Sequence, residues 1–132
     1  MTISLIELKI MGDERGSLIA LEENHNVPFD VKRVYYIFGT KIGVRRGYHA
    51  HKHLKQLAIC VSGSCTFMLD DGTQKQHIEL NSPTHGLLIE GLVWREMYDF
   101  SPDCVLMVLA SELYDENDYI RVYDEFLKAL AS

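Results

Sequence analysis

The chain has 132 residues, of which 47% are hydrophobic and 24% are charged. This length and balance are typical of one globular domain that can bury a core without disulfides, and the net charge of −6 argues against a nucleic-acid partner. Because no apolar run reaches about 18 residues and the first residues lack a basic-then-apolar leader, the sequence predicts no membrane partner and one cytoplasmic domain over residues 1–132.

The N-terminal third of the chain is predicted to form strands. Residues 3–10 alternate apolar and polar side chains, which predicts a half-buried strand at a sheet edge or crossing to a neighbour. After turn residues at 12–16, a second strand is predicted over 17–22. Residues 31–38 are rich in β-branched and aromatic side chains, which predicts a third strand with Arg33 and Tyr35 on one face.

A pair of histidines dominates the next segment, Gly-Tyr-His-Ala-His over residues 47–51. Side chains alternate faces along a strand, so His49 and His51 are predicted to project to the same side. Two imidazoles in one small volume indicate either half of a metal site or an acid/base pair.

The remaining segments continue the strand pattern up to the tail. Further strands are predicted over 56–61, 65–69, 75–80, 86–89, 93–100 and 104–110, and Asp-Gly at 71–72 indicates a tight hairpin. Short strands at roughly ten-residue spacing are typical of an all-β sandwich or barrel.

The C-terminal segment has a different spacing of its apolar residues. From Asp118 to Leu130 the apolar residues recur every three or four positions, which predicts a C-terminal amphipathic helix on the outside of the barrel. The acidic residues at 115–118 are predicted to form its solvated N-capping start.

The three cysteines are odd in number and lie in apolar, strand-like runs. Cys60, Cys65 and Cys104 are therefore predicted to be buried free thiols of a reducing compartment.

The histidine segment resembles the first motif of the cupins, a superfamily of small jelly-roll barrels. The similarity lies in Gly-x-His-x-His at 47–51 followed by Gln56 and Gly63. Metal-binding cupins use both histidines, a Glu at the position of Gln56, and a later His where this chain has Trp94 or Arg95. Because two of the four ligands are replaced by an amide and by an indole or a cation, the sequence predicts no metal.

Four ordered blocks, residues 31–37, 46–52, 92–100 and 108–121, make the resemblance narrower. Together they resemble the dTDP-4-oxo-6-deoxyglucose 3,4-ketoisomerases, a metal-free cupin branch related to the epimerases of rhamnose synthesis. The resemblance implies conversion of dTDP-4-keto-6-deoxyglucose to a dTDP-3-keto-6-deoxyhexose without a cofactor. It also implies a homodimer with exchanged N-terminal strands, and a product that feeds an aminotransferase making 3-amino-sugars.

The chemistry implied by this resemblance assigns roles to three side chains. His49 is expected to be the base and proton shuttle, because imidazole titrates near neutral pH. His51 is expected to hold a sugar oxygen or relay the proton. Tyr35 is expected to donate to the developing oxyanion.

Four arginines are candidates for binding the substrate. Arg33 and Arg46 are expected to hold the pyrophosphate, because a guanidinium pairs two phosphate oxygens at once. Arg95 is expected to line the sugar pocket and influence which face of C4 is protonated, and Arg15 is expected to help.

Three other functions stay open. A non-catalytic cupin would bind a nucleotide-sugar or small metabolite without turnover, and a metal-dependent oxygenase would hold stoichiometric metal. A 3,5-epimerase would use the same proton abstraction beside a carbonyl.

Overall fold

The computed structural model describes residues 3–132, so residues 1 and 2 of the predicted domain lie outside the described residues. The strands in chain order are β1 (Ile3–Glu7), β2 (Met11–Asp13), β3 (Gly16–Leu18), β4 (Arg33–Phe38), β5 (Arg46–His51), β6 (Gln56–Ser62), β7 (Cys65–Asp70), β8 (Lys75–Leu80), β9 (His85–Ile89), β10 (Trp94–Tyr98), β11 (Val105–Ala110) and β12 (Tyr119–Ile120). A 3-10 turn spans Glu116–Asp118, and helix α1 spans Tyr123–Ala131.

Two five-stranded sheets form the body of the molecule. The first has the strand order β1-β9-β6-β11-β4, and the second has the order β12-β5-β10-β7-β8. Their strands pair antiparallel, and residues from both sheets share one buried apolar cluster. The predicted all-β fold with a short C-terminal helix is therefore confirmed.

Strand β6 explains why apolar runs in this sequence are continuous. Ala58 and Cys60 belong to the cluster between the sheets, whereas Leu57 and Ile59 pack in a second cluster with Val27 of the loop before β4. Since side chains alternate faces along a strand, both faces of β6 are buried, and alternation with polar residues disappears.

Helix α1 covers the outer face of the second sheet. Its Phe126 is fully buried and clusters with Met68, Trp94 and Ile120. Within residues 3–132 the structure contains no helix with the length and hydropathy needed to cross a membrane.

The predicted start of the helix at Asp118 is wrong, because α1 begins at Tyr123. Tyr119 and Ile120 instead form β12, which pairs with His51 and Ala50 of β5. Strand pairing with a distant segment overrides the three- and four-residue period that Ile120 shares with the helix. Asp115, predicted to cap the helix, caps the 3-10 turn by accepting from Asn117 N.

The N-terminal strand boundaries also differ from those predicted. Strand β1 ends at Glu7, and the second predicted strand extends only to Leu18. Beyond it, Ile19 and Leu21 pack against the second apolar cluster. Strands β2 and β3 pair with each other, and in the described part of the chain this hairpin joins neither large sheet.

Candidate active site

His49 and His51 lie on one face of β5, as predicted, and their rings meet edge to face. The ring centroids are 4.8 Å apart. The ring of Tyr119, on the paired strand β12, lies 5.0 Å from that of His49 and 4.3 Å from that of His51. The structure therefore brings the two imidazoles and one phenol ring together.

A bulge at the start of β5 positions His49. Gly47 has φ +95°, and a Cβ there would lie 2.8 Å from the carbonyl oxygen of Arg95 on β10. Only glycine fits this close approach without a shift of the backbone. The register between β10 and β5 shifts between Arg95 and Glu96, which leaves Arg95 paired with His49.

Each histidine ring is held through its Nδ1 atom. His49 Nδ1 lies 3.1 Å from the carbonyl oxygen of Gly47, so it donates to it. His51 Nδ1 lies 3.1 Å from Asp118 Oδ2. Both contacts favour the tautomer with the proton on Nδ1 and leave Nε2 as a proton acceptor. The His51 Nε2 atom is buried and has no hydrogen-bond partner within residues 3–132.

Asp118 is a site residue that sequence reasoning missed. It was predicted to be solvated, but its carboxylate contacts His51 and accepts from the backbone N–H of His53 at 2.8 Å. Sixty-seven positions separate Asp118 from His51. No local motif joins them, so only the pairing of β12 with β5 reveals the contact.

A hydrogen-bonded chain links Arg95 to the other side of the site. Arg95 Nη1 donates to Gln56 Oε1, and Gln56 Nε2 donates to Tyr35 Oη at 2.8 Å. Arg95 is 3% exposed, and its Nη2 and Nε atoms donate to the Val93 carbonyl oxygen at 3.1 and 3.2 Å. The Tyr35 oxygen accepts from Gln56, so its own proton is free to be donated to a ligand.

His49, His51, Gln56 and Arg95 lie at positions that the resemblance to the cupin motif compares with metal ligands, and they do not fit a cation. The oxygen of Gln56 accepts a hydrogen bond from Arg95, whose positive charge therefore lies directly beside it. A metal ion there would meet charge repulsion and an amide oxygen already in use.

Burial sets the protonation state of both histidines. It lowers the pKa of His49 to about 4 and that of His51 to about 2, with the Arg95 charge as the next contributor in both cases. Burial also lowers the pKa of Arg95 to about 10, which leaves it charged at neutral pH. The site therefore holds two neutral imidazoles beside a cation.

This arrangement predicts acid sensitivity of folding. Between pH 6.5 and 5 the unfolded chain protonates these histidines, whereas the folded chain keeps them neutral with pKa values of about 4 and 2. The free energy of unfolding should therefore fall as the pH falls, by about 1.4 kcal/mol per pH unit for each histidine once the unfolded form is fully protonated.

Urea unfolding at pH 7, 6 and 5 measures this slope. The double variant His49→Asn, His51→Asn should show a flatter dependence, because both titrating groups are gone. An identical slope in the variant and the parent chain would contradict the prediction.

Of the four arginines predicted to bind the substrate, three lie at the site and Arg15 does not. Arg33 and Arg46 line a cavity of about 310 Å³ together with Tyr35, His49 and Arg121. Arg33 also lines a larger adjoining cavity of about 780 Å³ that contains His51.

Arg95 lines a small cavity with Tyr35, His49 and Gln56. Arg15 lies apart, on the β2–β3 hairpin. Its side chain is 84% exposed and pairs with Asp13 at 2.6 Å.

The chain is similar to known proteins over nearly its whole length. The family described as "FdtA: WxcM-like, C-terminal" matches residues 1–131. A curated relative, the TDP-4-oxo-6-deoxy-alpha-D-glucose-3,4-oxoisomerase of Aneurinibacillus thermoaerophilus, is 58% identical over 127 residues, covering 96% of this chain and 91% of the relative.

Solved structures show the same fold. A 3,4-ketoisomerase from Helicobacter canadensis is 48% identical, with a TM-score of 0.97 over 100% of this chain and 99% of that one. A mutant of the 3,4-ketoisomerase QdtA from Thermoanaerobacterium thermosaccharolyticum, in complex with TDP-4-keto-6-deoxyglucose, is 48% identical, with a TM-score of 0.95 over 97% of this chain and 93% of that one. The chain therefore belongs to the FdtA family of cupin-fold TDP-sugar 3,4-ketoisomerases.

Proposed function

We propose that this chain converts dTDP-4-keto-6-deoxyglucose to a dTDP-3-keto-6-deoxyhexose, as one cytoplasmic domain of residues 1–132. The observation that carries the proposal is the neutral His49–His51 pair opposite the Tyr35–Gln56–Arg95 chain. The site therefore offers an imidazole that can accept a proton and a Tyr35 hydroxyl that can donate a hydrogen bond. Enolisation of a ketone requires both groups.

The reaction moves a carbonyl from C4 to C3. His49 Nε2 removes the C3 proton, because its Nδ1 is already occupied by the Gly47 carbonyl. The C3–H electron pair forms the C3–C4 double bond and the C4 carbonyl electron pair moves to O4, which gives an enediolate with its negative charge on O4. The O3 proton then passes to O4, the O3 electron pair forms the new carbonyl at C3, and C4 takes the proton held by His49, so the cycle needs no external oxidant.

Tyr35 and His51 complete this cycle. Burial raises the pKa of Tyr35, so its hydroxyl keeps its proton at neutral pH and donates to the oxyanion at O4. His51 carries a proton between the hydroxyl positions through its unpartnered Nε2.

The charged part of the substrate is expected at the mouth of the site. Arg33, Arg46 and Arg121 line the cavity that contains His49 and Tyr35. Arg33 and Arg46 hold the diphosphate, since guanidinium groups bind phosphate oxygens in pairs. Arg121 is engaged at 2.6 Å by Glu116, which fixes its position.

Incubation with dTDP-4-keto-6-deoxyglucose in deuterated water tests the function. The parent chain should incorporate deuterium into the ring at C3 and C4 and form the 3-keto isomer. The His49→Asn, His51→Asn double variant should incorporate little. Binding without exchange in the parent chain would overturn the proposal in favour of a non-catalytic binding protein, and exchange at C5 would favour an epimerase.

Asp118 is expected to act as a positioning residue. Asp118→Asn should lower kcat roughly 10- to 100-fold, the range observed when the carboxylate partner of a metal-ligating histidine is removed. The cause is loss of the charge that holds the His51 proton on Nδ1.

Asp115→Asn is the matched control, because Asp115 caps the nearby turn and is exposed. Nitrogen NMR shifts of the His51 ring should change in Asp118→Asn and not in the control. An unchanged tautomer and unchanged kcat in Asp118→Asn would remove this role.

The dimer implied by the resemblance is also part of the proposal. Strand β4 is the outermost strand of its sheet, and its outward side chains Val34, Tyr36 and Phe38 are 54%, 63% and 67% exposed. An exposed apolar edge strand of this kind can pair with a strand of another chain. The β2–β3 hairpin, which joins neither large sheet in the described residues, is the segment proposed to cross to it.

This exchange would give Arg15 a role. The opposite face of β4 carries Arg33 and Tyr35, so a hairpin from a partner laid along this strand would bring its Arg15 towards the substrate phosphates. Strand β1 pairs with β9 of its own chain, so we place the exchange after β1.

Mixed dimers test the exchange. Arg15→Ala and His49→Asn chains should each be impaired alone, but a dimer of one with the other should regain one complete site. If Arg15 serves its own chain, neither site is complete and mixing restores nothing. A monomer by analytical ultracentrifugation would also overturn this part of the proposal.

A further inference from the structure

A second phenol lies at the histidine pair, and no step of the proposed cycle uses it. The ring of Tyr119 is 5.0 Å from that of His49 and 4.3 Å from that of His51. Tyr119 lines the cavity of about 310 Å³ that contains His49 and also the cavity of about 780 Å³ that contains His51. Its side chain therefore forms part of the wall of both cavities.

Backbone and ring contacts fix the position of Tyr119. It pairs with His51 across β12 and β5, and its backbone N–H donates to the carbonyl oxygen of Glu116. The Arg121 guanidinium lies over its ring, 4.1 Å from the centroid. The ring therefore has little freedom to turn away from the histidines.

The hydroxyl of Tyr119 is open, in contrast with its ring. Within residues 3–132 it has no hydrogen-bond partner, and its oxygen is not buried. Tyr35 lines the same cavity and comes from β4, the outermost strand of the first sheet, whereas β12 is the outermost strand of the second. Two phenolic hydroxyls, one from each sheet, therefore serve one cavity.

A 3,4-isomerisation develops negative charge on two oxygens in turn. Removal of the C3 proton places the charge on O4. Once the O3 proton has passed to O4, the charge lies on O3, and the reverse reaction forms this same species by removing the C4 proton. Because the forward and reverse reactions share their intermediates, a donor at O3 lowers the barrier in both directions.

The groups around the histidines leave few donors for O3. Each imidazole carries its proton on Nδ1, so its Nε2 accepts rather than donates. The Nε, Nη1 and Nη2 atoms of Arg95 already donate to Gln56 or to the Val93 carbonyl oxygen. Tyr35 is assigned to O4, which leaves the Tyr119 hydroxyl as the donor beside both imidazoles.

We propose that Tyr119 is a second catalytic hydroxyl, which donates a hydrogen bond to O3 as Tyr35 does to O4. This role rests on the proposed isomerase function. Tyr119 keeps its proton throughout the cycle, because it stabilises the charge on O3 and takes no part in moving the O3 proton. Each half of the isomerisation thus has its own phenolic donor.

Deuterium exchange separates the two halves. With dTDP-4-keto-6-deoxyglucose in deuterated water, Tyr119→Phe should still exchange deuterium into C3 of the recovered substrate, because Tyr35 still meets the charge on O4. Formation of the 3-keto isomer should fall roughly 10²- to 10³-fold, the loss observed when one oxyanion donor is removed. KM should change little, since the charge on O3 is absent from the bound substrate.

The reverse reaction should give the opposite pattern. Starting from the 3-keto isomer, freshly made by the parent chain and filtered from it, Tyr119→Phe should lose deuterium exchange at C4, whereas Tyr35→Phe should retain it. Tyr98→Phe is the matched control, because the Tyr98 hydroxyl bonds His77 at 2.9 Å and its ring packs with the cluster under helix α1. Its exchange and product formation should match those of the parent chain.

Failure of this role can be told apart from failure of the function. If the parent chain makes no 3-keto isomer, the proposed function fails and the role of Tyr119 fails with it. If the parent chain is active and Tyr119→Phe forms the isomer at the same rate, only the role of Tyr119 is overturned. Equal losses of C3 exchange and of product in Tyr119→Phe would also overturn it, because the hydroxyl would then not be specific to O3.

Discussion

Replacing His49 with Asn should lower kcat for isomerisation by roughly 10²- to 10⁴-fold, the usual contribution of a general base. His49 lines two cavities together with Tyr35, and Arg95 also lines the smaller of the two. Asn keeps the size and polarity of the side chain but cannot accept the C3 proton. Deuterium incorporation at C3 should fall in parallel with kcat.

The pH dependence of the parent chain gives a second measurement on His49. Burial and the Arg95 charge lower its pKa to about 4. Because the base is active when neutral, kcat/KM should stay level from pH 8 to about pH 5 and fall only as His49 protonates. An acid limb centred on 6.5, the ordinary value for imidazole, would contradict the buried neutral base.

His25→Asn is the control for this variant, because His25 is an exposed loop residue. Its kcat should match that of the parent chain. If His51→Asn abolishes deuterium exchange while His49→Asn retains it, the roles of the two histidines are the reverse of those proposed.

Tyr35→Phe should lower kcat by roughly 10²- to 10³-fold, the loss observed when one oxyanion donor is removed. The Tyr35 hydroxyl accepts from Gln56 at 2.8 Å and keeps its own proton for the substrate. Because negative charge on O4 develops only in the transition state, KM should change little. Steady-state kinetics with the purified variant separates the two parameters.

Tyr36→Phe is the matched control for Tyr35→Phe. Tyr36 is the next residue of the same strand, faces outward and is 63% exposed. Tyr36→Phe loses the same hydroxyl on the other side of β4 but keeps the apolar ring at the proposed dimer edge, so its kcat should be unchanged. A larger loss in Tyr36→Phe than in Tyr35→Phe would contradict the oxyanion role.

The strands could largely be predicted from the sequence, because a two-residue period and turn-forming residues act locally. Lys75–Leu80 matches its predicted range, and Val105–Ala110 differs by one residue. The predicted start of the C-terminal helix was wrong, because Ile120 fits the helical period but pairs with Ala50 in a strand. A local pattern could not show which of the two interactions would be formed.

The candidate site divides in the same way. The shared face of His49 and His51 followed from their spacing, and the replaced metal ligands could be identified from Gln56 and from Trp94 or Arg95. The bonds from Arg95 to Gln56 and from Gln56 to Tyr35 join three strands, and the Asp118 contact joins a turn to β5. Sequence reasoning placed Asp118 in solvent, because an acidic cluster before a helix is usually exposed.

By itself the sequence determined the all-β class, the family and the paired imidazoles, because each depends on residue types at short, ordered spacings. Only the tertiary structure decided that both imidazoles are neutral and that Asp118 contacts one of them. It also decided that the sulfur atoms of Cys60, Cys65 and Cys104 lie within 4.8 Å of one another. These properties depend on burial and on contacts between residues far apart in the chain, and burial changes the free energy of a charge in a way that no local spacing records.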